Sequence, residues 1–148
     1  MKHAEKNRPL NAVLLGLAIL TGLAMLANGV VMLWEPRWWY ATVPGVGRTG
    51  LFNQHFIRDI GILYVAIGLA FISGAQRENI RCGVWAAATL WLTAHAIFHF
   101  WEVAAGICAP IYLATDFPAV TMPALIGIGL TAWSWKNPAA SPHLKEST

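Results

Sequence analysis

Four long apolar runs alternate with polar breaks along this 148-residue chain. The first covers about residues 10–34 and is interrupted only by Asn11, Thr21 and Asn28. The others cover about 51–74, 82–105 and 119–135. A helix rises 1.5 Å per residue, so about 20 apolar residues suffice to cross a bilayer core. The pattern therefore predicts an all-α membrane protein, a four-helix antiparallel transmembrane bundle in a single domain. The fourth run is near the lower length limit.

The breaks carry their own signals. Residues 1–9 form a polar arm, with Pro9 suited to a first helical turn. Residues 35–50 open with Glu–Pro–Arg–Trp–Trp–Tyr and continue through a Pro- and Gly-rich stretch. Such a segment cannot prolong a helix, and Trp38, Trp39 and Tyr40 are rings that collect at headgroup level. Gln76–Arg77–Glu78–Asn79 reads as a short turn, and Pro110, Thr115, Asp116 and Pro118 mark the last loop. From residue 138 onward the chain is polar and is expected to be disordered. Small residues one or two turns apart, Ala18 with Gly22 and Gly61 with Gly68, predict close helix seams. A basic start before an apolar core also fits a signal peptide. No small-x-small site ends the first run, however, and it carries on to Trp34, which favours a span.

Composition agrees with the pattern: 57% hydrophobic and 11% charged residues, with mean hydropathy +0.52, are outside the range of ordinary soluble domains. The net charge of +3 matters less than its placement. Lys2, Lys6, Arg8, Arg77, Arg81, Lys136 and Lys145 fall on one side of a four-span bundle, and Arg37, Arg48 and Arg58 on the other. The positive-inside rule then places both termini in the cytoplasm, in a bacterial inner membrane. Trp133 and Trp135 anchor the inner interface; Trp34, Trp38, Trp39 and Trp101 anchor the outer one. No basic stripe stands apart from these flanks, so nucleic acid is not an expected partner. Cys82 and Cys108 fall at opposite faces, too far apart for a disulfide.

Chemistry concentrates in the outer half. His95, His99 and Glu102 lie within about 60° of one another on the third span. His55, Arg58 and Asp59 occupy the first turns of the second. A charge left in lipid costs about 2.5–3.5 kcal/mol at mid-membrane, so the two sets are expected to face each other. Imidazoles one turn apart beside carboxylates suit Zn, Cu or Fe, with His55, Asp59, His95, His99 and Glu102 as candidate ligands. Haem would instead use one axial His or a pair such as His55 with His95. Cys108 could add a soft ligand. Membrane di-iron enzymes need more His boxes than three intramembrane histidines provide.

The same residues admit a structural reading. Arg58 can neutralise Asp59, as an ion pair, and Glu102, fixing helix register without any ligand. Trp91 and Phe98 flank the polar face as packing, and His3 and His143 lie in the tails. Ser73, Ser134, Ser141 and Ser147 are all far from the histidines, which leaves nucleophilic hydrolysis without a nucleophile. An ion pathway has only Thr89 and Thr93 below His95.

The run Arg58–Asp59–Ile60–Gly61–Ile62–Leu63–Tyr64–Val65–Ala66–Ile67–Gly68–Leu69 resembles the second span of small four-span bacterial membrane proteins of the DoxX family. That resemblance implies quinone-linked redox chemistry. It does not extend to His95, His99 and Glu102. Taken together, the expectation is a membrane protein holding a metal or haem and acting on a lipid-soluble molecule such as a quinone. The alternative is an accessory subunit of a larger membrane complex.

Overall fold

The computed structural model describes residues 8–48 and 50–139. Most of the polar arm, with Lys2, His3 and Lys6, lies outside the described residues, as do residues 140–148 of the tail, with His143 and Lys145. Every regular element described is helical. In chain order these are α1 (Arg8–Trp34), α2 (Pro36–Thr42), a 3₁₀ turn (Val46–Arg48), α3 (Gln54–Gln76), α4 (Glu78–Ala104), α5 (Ile111–Asp116) and α6 (Thr121–Lys136).

Local chemistry sets the boundaries. Glu35 precedes a proline, which disfavours helical backbone; it sits at φ −125°, ψ 62°, and Pro36 restarts the chain as α2. Asn53 caps α3 by accepting from the Phe56 amide at 3.1 Å. A single extended residue, Arg77, separates α3 from α4, so the expected four-residue turn is shorter than its polar sequence suggests. Gly106, at φ +74°, ends α4 in the left-handed region, where the Ile107 amide donates back to the Glu102 carbonyl at 2.9 Å. Residues 35–50, read above as a break, hold seven residues of helix, and the last loop contains α5.

The four long helices alternate in direction. α1 lies along α3 on interlocking glycines: a Cβ on Gly29 would stand 2.6 Å from the Gly61 carbonyl oxygen, and one on Gly68 would stand 2.6 Å from that of Gly22. Only a missing side chain permits backbones this close. α4 lies along α6, where a Cβ on Gly127 would stand 2.6 Å from Thr89 Oγ1 and Thr89 meets Thr131 at 3.1 Å. Between the two pairs, Phe71 of α3 and Trp85 of α4 are fully buried, and Trp85 Nε1 donates to the Phe71 carbonyl at 3.0 Å. Asn28, an interruption in the first apolar run, accepts from Trp39 Nε1 of α2 at 2.9 Å. Its polarity is thus satisfied inside the fold.

Residues 9–34 and 54–76 form helices long and apolar enough to cross a membrane. α4 is as long as α1 but is diluted by Glu78, Asn79, Arg81, His95, His99 and Glu102. α6 has 16 residues, about 24 Å of helix.

Candidate functional site: a histidine column at the loop end

The bundle has a turn end, at Arg77, and a loop end, where α2, the 3₁₀ turn and α5 collect. On α4 the buried stripe runs through Trp85, Ala88, Thr89, Leu92 and Ala96. His95 and His99 border that stripe, so both are half-buried rather than core or surface. Their rings meet edge-on with centroids 4.8 Å apart. Below them His95 stacks on Trp91 at 5.0 Å and 13°, and Trp91 meets Tyr64 of α3 edge-on at 5.4 Å. Above them His99 Nδ1 faces Asp116 Oδ2 at 3.5 Å. The result is a continuous column, Tyr64–Trp91–His95–His99–Asp116, running from the core to the loop end.

Asp116 enters this column from α5. It is positioned by Thr115, whose hydroxyl donates to Oδ1 at 3.1 Å, and by Gly45, where an added Cβ would stand 3.6 Å from the same oxygen. Gly45 has φ +89°, a conformation that favours glycine in this turn. Arg48 donates to the Tyr112 hydroxyl and lies over its ring at 5.0 Å, tying that turn to α5. The Asp116 carboxylate thus orients the His99 ring from its Nδ1 side. His95 makes ring contacts alone; neither of its nitrogens hydrogen-bonds to a described residue. No fully buried side-chain nitrogen or oxygen among the described residues lacks a partner, so the His95 nitrogens open onto a surface.

The second-span residues do not join this column. Ile57, Gly61, Tyr64 and Gly68 form the buried stripe of α3, and Asp59 is about 200° round the helix from Ile57. His55 therefore pairs with Asp59 along an outward face, Nε2 to Oδ2 at 3.2 Å, with side chains 89% and 57% exposed. Arg58 and Asp59 do not form the expected ion pair. Arg58 Nε instead donates to the Leu33 carbonyl at 3.1 Å, near the end of α1. That carbonyl is one of the last in its helix, and a cation there complements the helix dipole. The Glu102 carboxylate contacts none of the other candidates; only its backbone carbonyl is engaged, by Ile107 and Cys108. Cys82, near the start of α4, and Cys108, beyond its far end, are both free.

The five candidate metal ligands are consequently split: His55 with Asp59 on the outward face of α3, His95 with His99 on α4, and Glu102 apart from both pairs. Among the described residues, no group of three or more His, Cys, Asp or Glu side chains is placed to hold a metal ion. His55 lies with Asp59 on the outward face of α3, and His95 stacks on Trp91 of α4. The residue missed by sequence reasoning is Asp116. It sits in the apolar stretch Ile111–Phe117 with no periodicity to assign it a face; its signal was being an acid on the same side of the bundle as His99. No family model, no curated protein and no solved structure matches this chain.

Proposed function

We propose that this is an integral membrane protein of the bacterial inner membrane type, with four embedded helices and cytoplasmic termini. Its His95–His99–Asp116 column binds a small lipid-soluble molecule with hydrogen-bonding oxygens, of which a quinone is the model. Embedding of all four helices is supported by large apolar side chains exposed on each: Val13 and Leu20, Ile62 and Leu69, Leu90 and Ile97, Leu125 and Ile128. Soluble proteins do not surround themselves with such surface.

The observation that carries the ligand reading is the unpartnered His95 imidazole, half-buried in lipid-facing surroundings next to an oriented His99. A polar group without a partner is costly there, and a ligand oxygen supplies one. His95 would hold a carbonyl or hydroxyl oxygen, while Asp116 fixes the ring of His99 beside it. Quinone-type ligands also match what the DoxX-like segment implies.

The test is binding of a short-chain benzoquinone to the detergent-purified protein. His95→Ala and His99→Ala are each expected to weaken binding about tenfold, the equivalent of roughly one hydrogen bond. Trp101→Phe should bind normally, because Trp101 is 55% exposed and stacks on Phe98, away from the column. Unchanged binding in both His variants would remove the column from any ligand site. The accessory-subunit reading draws on one observation, that His99 and Asp116 tie α4 to α5. It predicts that His99→Ala lowers the melting temperature of a protein that binds no quinone at all.

Topology is tested separately. In a background of Cys82→Ala and Cys108→Ala, Gly47→Cys should react with an impermeant thiol reagent in intact cells and Glu78→Cys should not. Equal labelling at the two positions would sink the four-span arrangement.

A further inference from the structure

The turn end carries a second polar feature that the histidine column does not use. Arg81 is only 9% exposed. Its Nε donates to the Gly74 carbonyl at 2.8 Å and its Nη2 to that of Ala75 at 3.5 Å. Its guanidinium lies 5.7 Å from the ring of Trp85 and 5.4 Å from that of Trp133. Among the described residues no carboxylate is within ion-pair distance of it. The α3 carbonyls and the two rings stabilise this cation, but a guanidinium has five N–H donors and these bonds engage two.

Arg81 borders a groove of about 440 Å³ between the start of α4 and the end of α6, shared with Asn79, Cys82, Ser134 and Asn137. Glu78, an exposed acid, also lines this groove, and Lys136 lines the neighbouring one. Trp135 separates it from a second groove of about 400 Å³ in the same α4–α6 crevice, lined by Thr89, Ile128, Thr131 and Ala132. Thr89 and Thr131 bond to each other, so the second groove presents an apolar wall.

We propose that this crevice binds one anionic phospholipid, with its phosphate on Arg81 and an acyl chain along Ile128 and Ala132. The inference rests on α4 and α6 lying in the membrane. A buried cation with no carboxylate among the described residues within ion-pair distance, at the basic end of the bundle, supplies the charge complementarity; basic pockets between helices on the cytoplasmic side take lipid headgroups. The apolar groove continuing from it distinguishes a lipid from a free anion, which would have no use for the second groove.

The experiment titrates dioleoyl-phosphatidylglycerol into delipidated full-length protein in detergent, with bound lipid counted by native mass spectrometry. Dioleoylglycerol and inorganic phosphate are the comparison ligands. Arg81→Gln also removes bonds to the end of α3, so two surface variants carry the test. Asn79→Glu places a carboxylate at the groove, and Ala132→Phe fills the acyl path. One phosphatidylglycerol per chain is expected, with dioleoylglycerol much weaker and each variant raising Kd at least about fivefold. Trp101→Phe, at the other end, should bind it normally. Equal binding of dioleoylglycerol, inorganic phosphate binding as tightly as the lipid, or wild-type affinity in both variants would overturn the proposal. A chain that stays monodisperse without detergent would instead overturn the membrane reading on which it rests.

Discussion

Gly29→Leu is expected to separate α1 from α3 and to abolish the cooperative thermal transition of the detergent-solubilised protein. A Cβ at this position would already stand 2.6 Å from the Gly61 carbonyl oxygen and 2.8 Å from the Val65 amide nitrogen. Both are backbone atoms, so no rotamer change relieves the clash and the helices must part along their length. Overpacking commonly costs about 1–3 kcal/mol where side chains can yield, and more where they cannot. On the membrane reading proposed above, the loss is not made good by a hydrophobic drive between helices, because close packing is what holds them together. Gly68→Leu should behave alike, since its Cβ would stand 2.6 Å from the Gly22 carbonyl oxygen. Gly16→Leu is the control: nothing lies within 4 Å of a Cβ there, and its effect should stay within about 0.5 kcal/mol. A wild-type melting temperature for Gly29→Leu would mean that α1 does not pack on α3 through this seam.

Trp85→Ala should destabilise the bundle by about 3–5 kcal/mol, the usual loss for truncating a buried large aromatic. Trp85 is fully buried and joins three helices: its ring lies 6.3 Å from that of Phe71 on α3 and 6.2 Å from that of Trp133 on α6. Truncation also uncovers Arg81, which lies over the same ring. Trp85→Phe separates the contributions. It keeps an aromatic ring but loses the donor to the Phe71 carbonyl, so its direct hydrogen-bond loss is about 0.5–1.5 kcal/mol. Thermal or denaturant unfolding in detergent reads both variants. Equal, small losses for Phe and Ala would show that the ring carries little of the packing between the two helix pairs.

The seam and the core differ in how readable they are from sequence. Gly61 and Gly68, seven residues apart in an apolar run, announce a close approach, and Ala18 with Gly22 announces another. Ala18 is fully buried, and Gly22 meets Gly68, as that spacing implies. Gly29, the partner of Gly61, stands seven residues from Gly22, the same spacing as Gly61 and Gly68, so this part of the seam was legible in the apolar run as well. Trp85 reads as one of eight tryptophans, and nothing local separates a core ring from an interfacial one.

What the sequence determined by itself is the four long helices and the placing of His95 and His99 on one face of α4. Both follow from short-range causes: apolar runs that satisfy their own backbone, prolines and glycines that stop them, and a fixed 100° per residue. Tertiary structure decided which polar residues meet. His55 and Asp59 share the depth of the histidine column in sequence terms, yet the glycine seam rotates α3 so that Ile57, Gly61 and Tyr64 face inward and the polar pair faces out. Arg58 turned to the end of α1 for the same reason. Asp116 came to His99 because α5 and the Gly45 turn fold over the loop end, a long-range closure that no helical period encodes.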